Sequence, residues 1–152
     1  MDNAVPEVSR LHAAFRGLRD ALADIAGVAS CKIGLEKNIS PADYPLIRLV
    51  PSRLTPGNPY SRRTIETLIY FSVNISEAES GGLEGVYEAV FDLEESIRDV
   101  LKAEGGRYLE TITDRDELDT YKIMTVRCEV TQIAPSLPAP PPAPTPSPAP
   151  AP

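Results

Sequence analysis

The chain has 152 residues and a formal net charge of −7, a sign that disfavours general nucleic-acid wrapping and docking on anionic membranes. Residues 1–8 have neither the basic nor the apolar region of a secretory signal, and no apolar run reaches the length of a membrane span. The only cysteines, Cys31 and Cys128, lie far apart in sequence, so both are expected to be reduced and half-buried in strands.

The first periodic segment covers 6–26. Val8, Leu11, Phe15, Leu18, Leu22 and Ile25 recur at alternating gaps of three and four, the core stripe of a helix. Pro6 suits an early helical position and Gly27 a C′ stop. A short strand is expected over 31–35 and a second over 44–51, richer in β-formers but flanked by proline. Pro41, Pro45, Pro51, Pro56 and Pro59 predict a loop-like region or a sheet edge here. The clearest strand spans 63–76. Its odd-numbered residues Ile65, Ile69, Phe71, Val73 and Ile75 face one way, while Thr64, Glu66, Ser72 and Asn74 face the other.

Ser80-Gly81-Gly82 breaks that pattern, and a second helix is predicted over 83–103. Val86, Val90, Leu93, Ile97 and Val100 form its core stripe, and Glu84, Glu88, Asp92, Glu95 and Asp99 an acidic stripe on another face. Gly105-Gly106 ends it. A strand over 108–113, an acidic turn over 114–119 and a last strand over 121–133 follow. In that strand Met124, Val126, Cys128 and Val130 alternate inward. The order α-β-β-β-α-β-β with short polar connections predicts an α+β domain. It has an antiparallel or mixed sheet and two amphipathic helices on one face. The domain occupies 1–134. Residues 135–152 hold ten prolines and no charge, and read as a disordered Pro/Ala tail with nothing to bury.

Residue types that carry chemistry are sparse. His12, the single histidine, lies beside the apolar stripe of the first helix and reads as a surface residue. No nucleophile elbow, Walker loop or dinucleotide glycine pattern is present. Gly81, Gly82 and Gly85 sit where a helix start can hold an anion, but no lysine accompanies them and Glu84 would repel it. One histidine and two distant cysteines make no zinc pattern. The carboxylates between Asp114 and Asp119 lack the glycine and the twelfth-position glutamate of a calcium loop, and read as a solvated hairpin tip. No catalytic residue, cofactor or metal is expected.

Charge is nevertheless segregated. Between residues 44 and 63 stand Arg48, Arg53, Arg62 and Arg63 and no acid; the rest of the chain carries 11 basic residues against all 22 acidic ones. Complementarity with a partner explains this, and so does a solvated loop; the acidic helical stripe suits a partner, a channel or water.

The order of these segments is familiar. A helix closing in Gly27-Val28 precedes Tyr44-Pro45-Leu46-Ile47-Arg48-Leu49-Val50-Pro51. The arginine-bearing loop and the strand Thr67-Leu68-Ile69-Tyr70-Phe71-Ser72-Val73 come next. Gly85-Val86-Tyr87 then opens a helix containing Ile97-Arg98-Asp99-Val100-Leu101. Over most of 6–133 this resembles the tail terminator (tail completion) proteins of long-tailed bacteriophages and gene transfer particles. The resemblance implies a non-enzymatic α+β subunit, assembled in the host cytoplasm into a six-membered ring. The ring would cap the head-proximal end of the tail tube and meet the head connector or stopper protein. DNA would pass through without sequence-specific binding, and no membrane would be involved. The candidate contact residues are then Arg48, Arg53, Arg62, Arg63, Glu84, Glu88, Asp92, Glu95 and Asp99. Two other readings are a different neck component, such as a stopper, and a small-ligand binding or regulatory module.

Deleting residues 135–152 is expected to shift the thermal midpoint by no more than about a degree or two, because a proline-rich segment of this kind is a solvated spacer. Calorimetry on the full and truncated chains checks this; a large fall would mean that the segment packs on the domain.

Overall fold

The computed structural model describes residues 10–56, 62–75, 82–113 and 121–133. The expectations for 1–9, for the tip between Asp114 and Asp119 and for the 135–152 tail lie outside the described residues. The elements are α1 (Arg10–Ala23), β1 (Ser30–Ile33), a single 3₁₀ turn (Pro41–Asp43), β2 (Leu46–Pro56), β3 (Arg62–Asn74), α2 (Gly82–Ala103), β4 (Arg107–Thr113) and β5 (Tyr121–Ile133). Two helices and a five-stranded mixed sheet thus follow the order α-β-β-β-α-β-β.

In α1, Phe15, Leu18 and Leu22 turn inward at helical spacing. The helix closes at Ala23, ahead of the expected Ala26, because its last turn tightens. The Ile25 N–H donates to the Leu22 carbonyl and the Val28 N–H to the Ile25 carbonyl, and Gly27 takes φ 87°. Gly34, at φ 92°, ends β1 before Leu35, which is exposed.

The sheet order is β1-β2-β3-β5-β4. The β1–β2 pair is parallel, with Ser30 opposite Leu46 and Ile33 opposite Leu49; the other three pairs are antiparallel. A parallel neighbour needs a crossover of about a dozen residues, and the stretch 34–45 supplies it. Within that stretch the Ser40 N–H and Oγ both donate to Asp43 Oδ2, at 2.7 and 3.0 Å, closing the 3₁₀ turn. These bonds, the backbone one foremost, hold the Asp43 carboxyl below its ordinary pKa. The Tyr44–Pro45 peptide is cis.

β3 is the axis of the sheet, paired with β5 along its whole length from Arg62–Ile133 to Asn74–Tyr121. Ile65, Thr67, Ile69, Phe71 and Val73 are buried on the face covered by both helices. The opposite face departs from simple alternation. Ser72 and Asn74, on the face away from the apolar set as expected, are buried, as are Leu46 and Arg48 on β2. The Ser72 Oγ donates to the Lys122 carbonyl at 2.8 Å. The C-terminal end of β3 is therefore buried on both sides, which a two-residue period alone does not foretell.

In α2 the buried stripe is Val86, Val90, Leu93, Ile97 and Leu101. Leu101 replaces the expected Val100, which is half-buried, because 3.6 residues per turn carry the stripe from Ile97 to i+4. At the helix end a Cβ on Gly106 would stand 3.1 Å from Leu101 Cδ2 and 3.3 Å from the Leu101 carbonyl. Glycine there lets β4 start tight against the core.

Phe71 is fully buried at the centre of the axial strand. Phe71→Ala is expected to cost about 3–5 kcal/mol in urea denaturation; a loss under about 1 kcal/mol would contradict the register.

Candidate functional site

β1 pairs β2 only as far as Leu49. Beyond that point β2 is an outer strand, and its pairing with β3 continues from Arg53–Glu66 to Pro56–Arg63. Of the arginine-bearing loop expected over 53–63, residues 53–56 and 62–63 are thus paired strand, an arm at the outer edge of the sheet in which β3 also pairs β5; 57–61 lie outside the described residues. Proline is compatible with it because the outer edge needs no donors. A bulge at Ser52 redirects β2, and the Ser52 Oγ donates to the Glu66 carbonyl at 3.0 Å. Arg53 and Arg63 are exposed, and Leu54 shows 56% of its surface. Arg62 opens β3, opposite Ile133.

Arg48 is placed differently. Expected as a contact residue, it is 0% exposed. Its Nη1 donates to the Ile47 carbonyl at 2.9 Å, the Ser30 Oγ at 3.0 Å and the Ser30 carbonyl at 3.4 Å. Nη2 lies 3.9 Å from Glu36 Oε1 on the crossover, and neither Nε nor Nη2 has a hydrogen-bond acceptor. The guanidinium joins β1, β2 and the crossover internally and presents nothing to a partner. A charge in a strand gives no sequence sign of burial; the crossover decides it.

Glu84, Glu88, Asp92, Glu95 and Asp99 are all exposed along α2. Between this stripe and the buried one lies a flank that the sequence reading missed. Leu83 and Phe91 are 55% and 50% exposed, with half-buried Tyr87 between them. The Tyr87 and Phe91 ring centroids are 5.7 Å apart. The spacing of four was legible, but it was hidden by the stronger core pattern beside it. Buried Lys122 reaches the inner side, its Nζ 5.4 Å from the Tyr87 centroid.

Two other polar groupings hold elements together. Tyr108 Oη and Thr111 Oγ1 are 2.9 Å apart, and Thr111 Oγ1 donates to Glu94 Oε1 at 2.6 Å. Arg98 stacks over Tyr108 at 4.5 Å and lies 4.0 Å from Glu94. This chain ties α2 to β4 beside a cleft of about 470 Å³, whose wall carries Glu95, Arg98, Asp99 and Lys102. On the helix-free face Arg127 bridges Glu66, at 2.9 Å, and Glu110 across three strands. Those carboxylates, Glu66 first, raise the Arg127 pKa.

His12 is exposed on α1. Cys31 and Cys128 are free, and burial pushes their thiols up to about 11 and about 12. β2 and β3 stand between their strands. Cys128 is fully buried, further inside than expected. Gly82 begins α2 at φ 67°, and Gly85 lies within the helix. Among the described residues no group of three or more His, Cys, Asp or Glu side chains is placed to hold a metal ion, and no helix is long and apolar enough to cross a membrane. No family model matches the chain, and no curated protein matches it.

Charge reversal separates the arginines. Arg48→Glu would bury an unpaired carboxylate and is expected to cost about 3–5 kcal/mol. Arg53→Glu and Arg63→Glu, at exposed positions, should each stay within about 0.5 kcal/mol of the parent. Parallel denaturation curves decide this; equal effects would mean that Arg48 is not enclosed.

Proposed function

We propose that this chain is a structural subunit of a phage-like tail, a terminator that forms a ring on the tube end and joins it to the head connector. The observation that carries the reading is the placement of two oppositely charged surfaces. The basic arm lies where Pro56 meets Arg63, and the acidic α2 begins beyond the other end of β3. Surfaces so separated satisfy each other between copies. A head-to-tail contact of this kind closes into a ring when its rotation permits.

Each exposed ion pair contributes only about 0–1 kcal/mol, so no single pair closes the assembly. Several pairs repeated at every interface do, and they weaken with salt. A lumen lined by carboxylates would let DNA slide without adhering. The α2–β4 cleft favours one rival, a small-ligand module; that protein would stay monomeric and gain thermal stability from a small zwitterion suited to a wall of both charges.

At high concentration, or with the tube protein, the chain is expected to form closed rings visible by negative-stain microscopy. Their light-scattering mass should fall as salt is raised well past 0.1 M, where the Debye length is already about 10 Å. Monomers under every such condition would overturn the ring reading.

A further inference from the structure

We propose that the exposed apolar flank of α2, formed by Leu83, Tyr87 and Phe91, receives the β2–β3 arm of a second copy of this chain. Leu54 is its apolar anchor, and Arg63, on the same face of the arm, is set against Glu84, Glu88 and Asp92. The contact rests on the ring reading above and names the surfaces that join neighbouring subunits.

Three observations point to it. First, the flank and the arm each expose large apolar side chains: 55% of Leu83, 50% of Phe91 and 56% of Leu54. Aromatic anchors of this kind, with polar groups around them, are where binding energy concentrates. The Tyr87 and Phe91 rings already pack together on α2, their centroids 5.7 Å apart.

Second, the exposed charges are opposite in sign: Arg53 and Arg63 on the arm, and Glu84, Glu88, Asp92 and Glu95 on α2. Lys122, beside this flank, is 5% exposed and lies on the inner side of Tyr87. Glu84, Glu88 and Asp92 are the exposed charges between residues 83 and 92.

Third, the two patches cannot meet within one subunit. β3 runs thirteen residues from Arg62 to Asn74, about 40 Å at roughly 3.3 Å per residue. The arm lies at its start. The α2 flank lies near its end, where Tyr87 meets Lys122, the partner of Val73 in the ladder. The contact is therefore heterologous, each subunit giving its arm to one neighbour and its helix to the other.

The test uses the full-length chain as two variants, Leu54→Cys and Phe91→Cys, mixed under assembling conditions and mildly oxidised, with the parent as control. The native thiols are half-buried or buried, and the parent control is expected to show no covalent dimer. A covalent dimer is expected in the mixture, well above its level in either variant alone. Phe91→Glu, retaining the parent's thermal midpoint, should weaken association about tenfold or more; Leu83→Glu serves equally if that variant does not fold. Rings without the mixed dimer, or dimers equally abundant in a single-variant preparation, would overturn the contact and leave the ring standing. Rings that survive Phe91→Glu but no longer join a tube would assign the flank to the tube protein and overturn the contact. Absence of both rings and dimers would overturn contact and ring together.

Discussion

The rest of the structure depends on β3 being paired on both sides while one of its faces is sealed. Its ladder with β5 runs unbroken from Arg62 to Asn74, and β2 follows it from Leu46 to Pro56 with one bulge. Ile65, Ile69 and Phe71 are all 0% exposed beneath the helices. A slip of one residue would turn this set to the opposite face, so the apolar alternation and the backbone ladder fix one register together. Among the described residues neither helix has another surface on which to bury its stripe. Phe15, Leu18 and Leu22 from α1 and Val86, Val90 and Ile97 from α2 share that single core.

The two sides of the sheet solve different problems. The helix-covered side is closed by shape and apolar area. The other side is held by charges shared across strands. Arg127 bridges Glu66 and Glu110, and Arg107 pairs with Glu129 at 3.2 Å. At the β1–β2 corner the crossover brings Glu36 to within 3.9 Å of Arg48. Burying a guanidinium with two idle donors costs free energy. It is tolerated because two of the Nη1 bonds, both to Ser30, bind β1 to β2, where the parallel ladder itself is only four residues long.

α2 carries three separable surfaces on one cylinder. The buried stripe docks it, and Glu94 fastens its middle to β4 through Thr111. The acidic stripe and the Leu83–Tyr87–Phe91 flank remain outside. Once the core side is docked, helical rotation leaves no freedom in where these outer surfaces point. The basic arm is fixed just as firmly by its ladder with β3. Two surfaces of opposite charge, set by rigid elements at opposite ends of a sheet, are suited to assembly without rearrangement.

The sequence by itself determined the element order, the inward faces of β3, β5 and both helices, and the segregation of charge. These follow from periods of two and 3.6 residues and from local composition, which neighbouring residues express without help from the rest of the chain. It could not determine that β1 and β2 run parallel, since length permits a crossover without requiring one. Nor could it show that residues 53–56 and 62–63 of the arginine-bearing loop are strand, because proline forbids a central position and not an outer one. The burial of Arg48, Ser72 and Asn74, and the roles of Glu94 and Lys122, were decided only by tertiary structure. Each depends on a segment distant in sequence arriving over a residue whose own type says nothing of that cover. The exposed flank of α2 lies between these cases. Its spacing is local, but whether Leu83 and Phe91 are core or surface was settled only when the sheet took the other side of the helix.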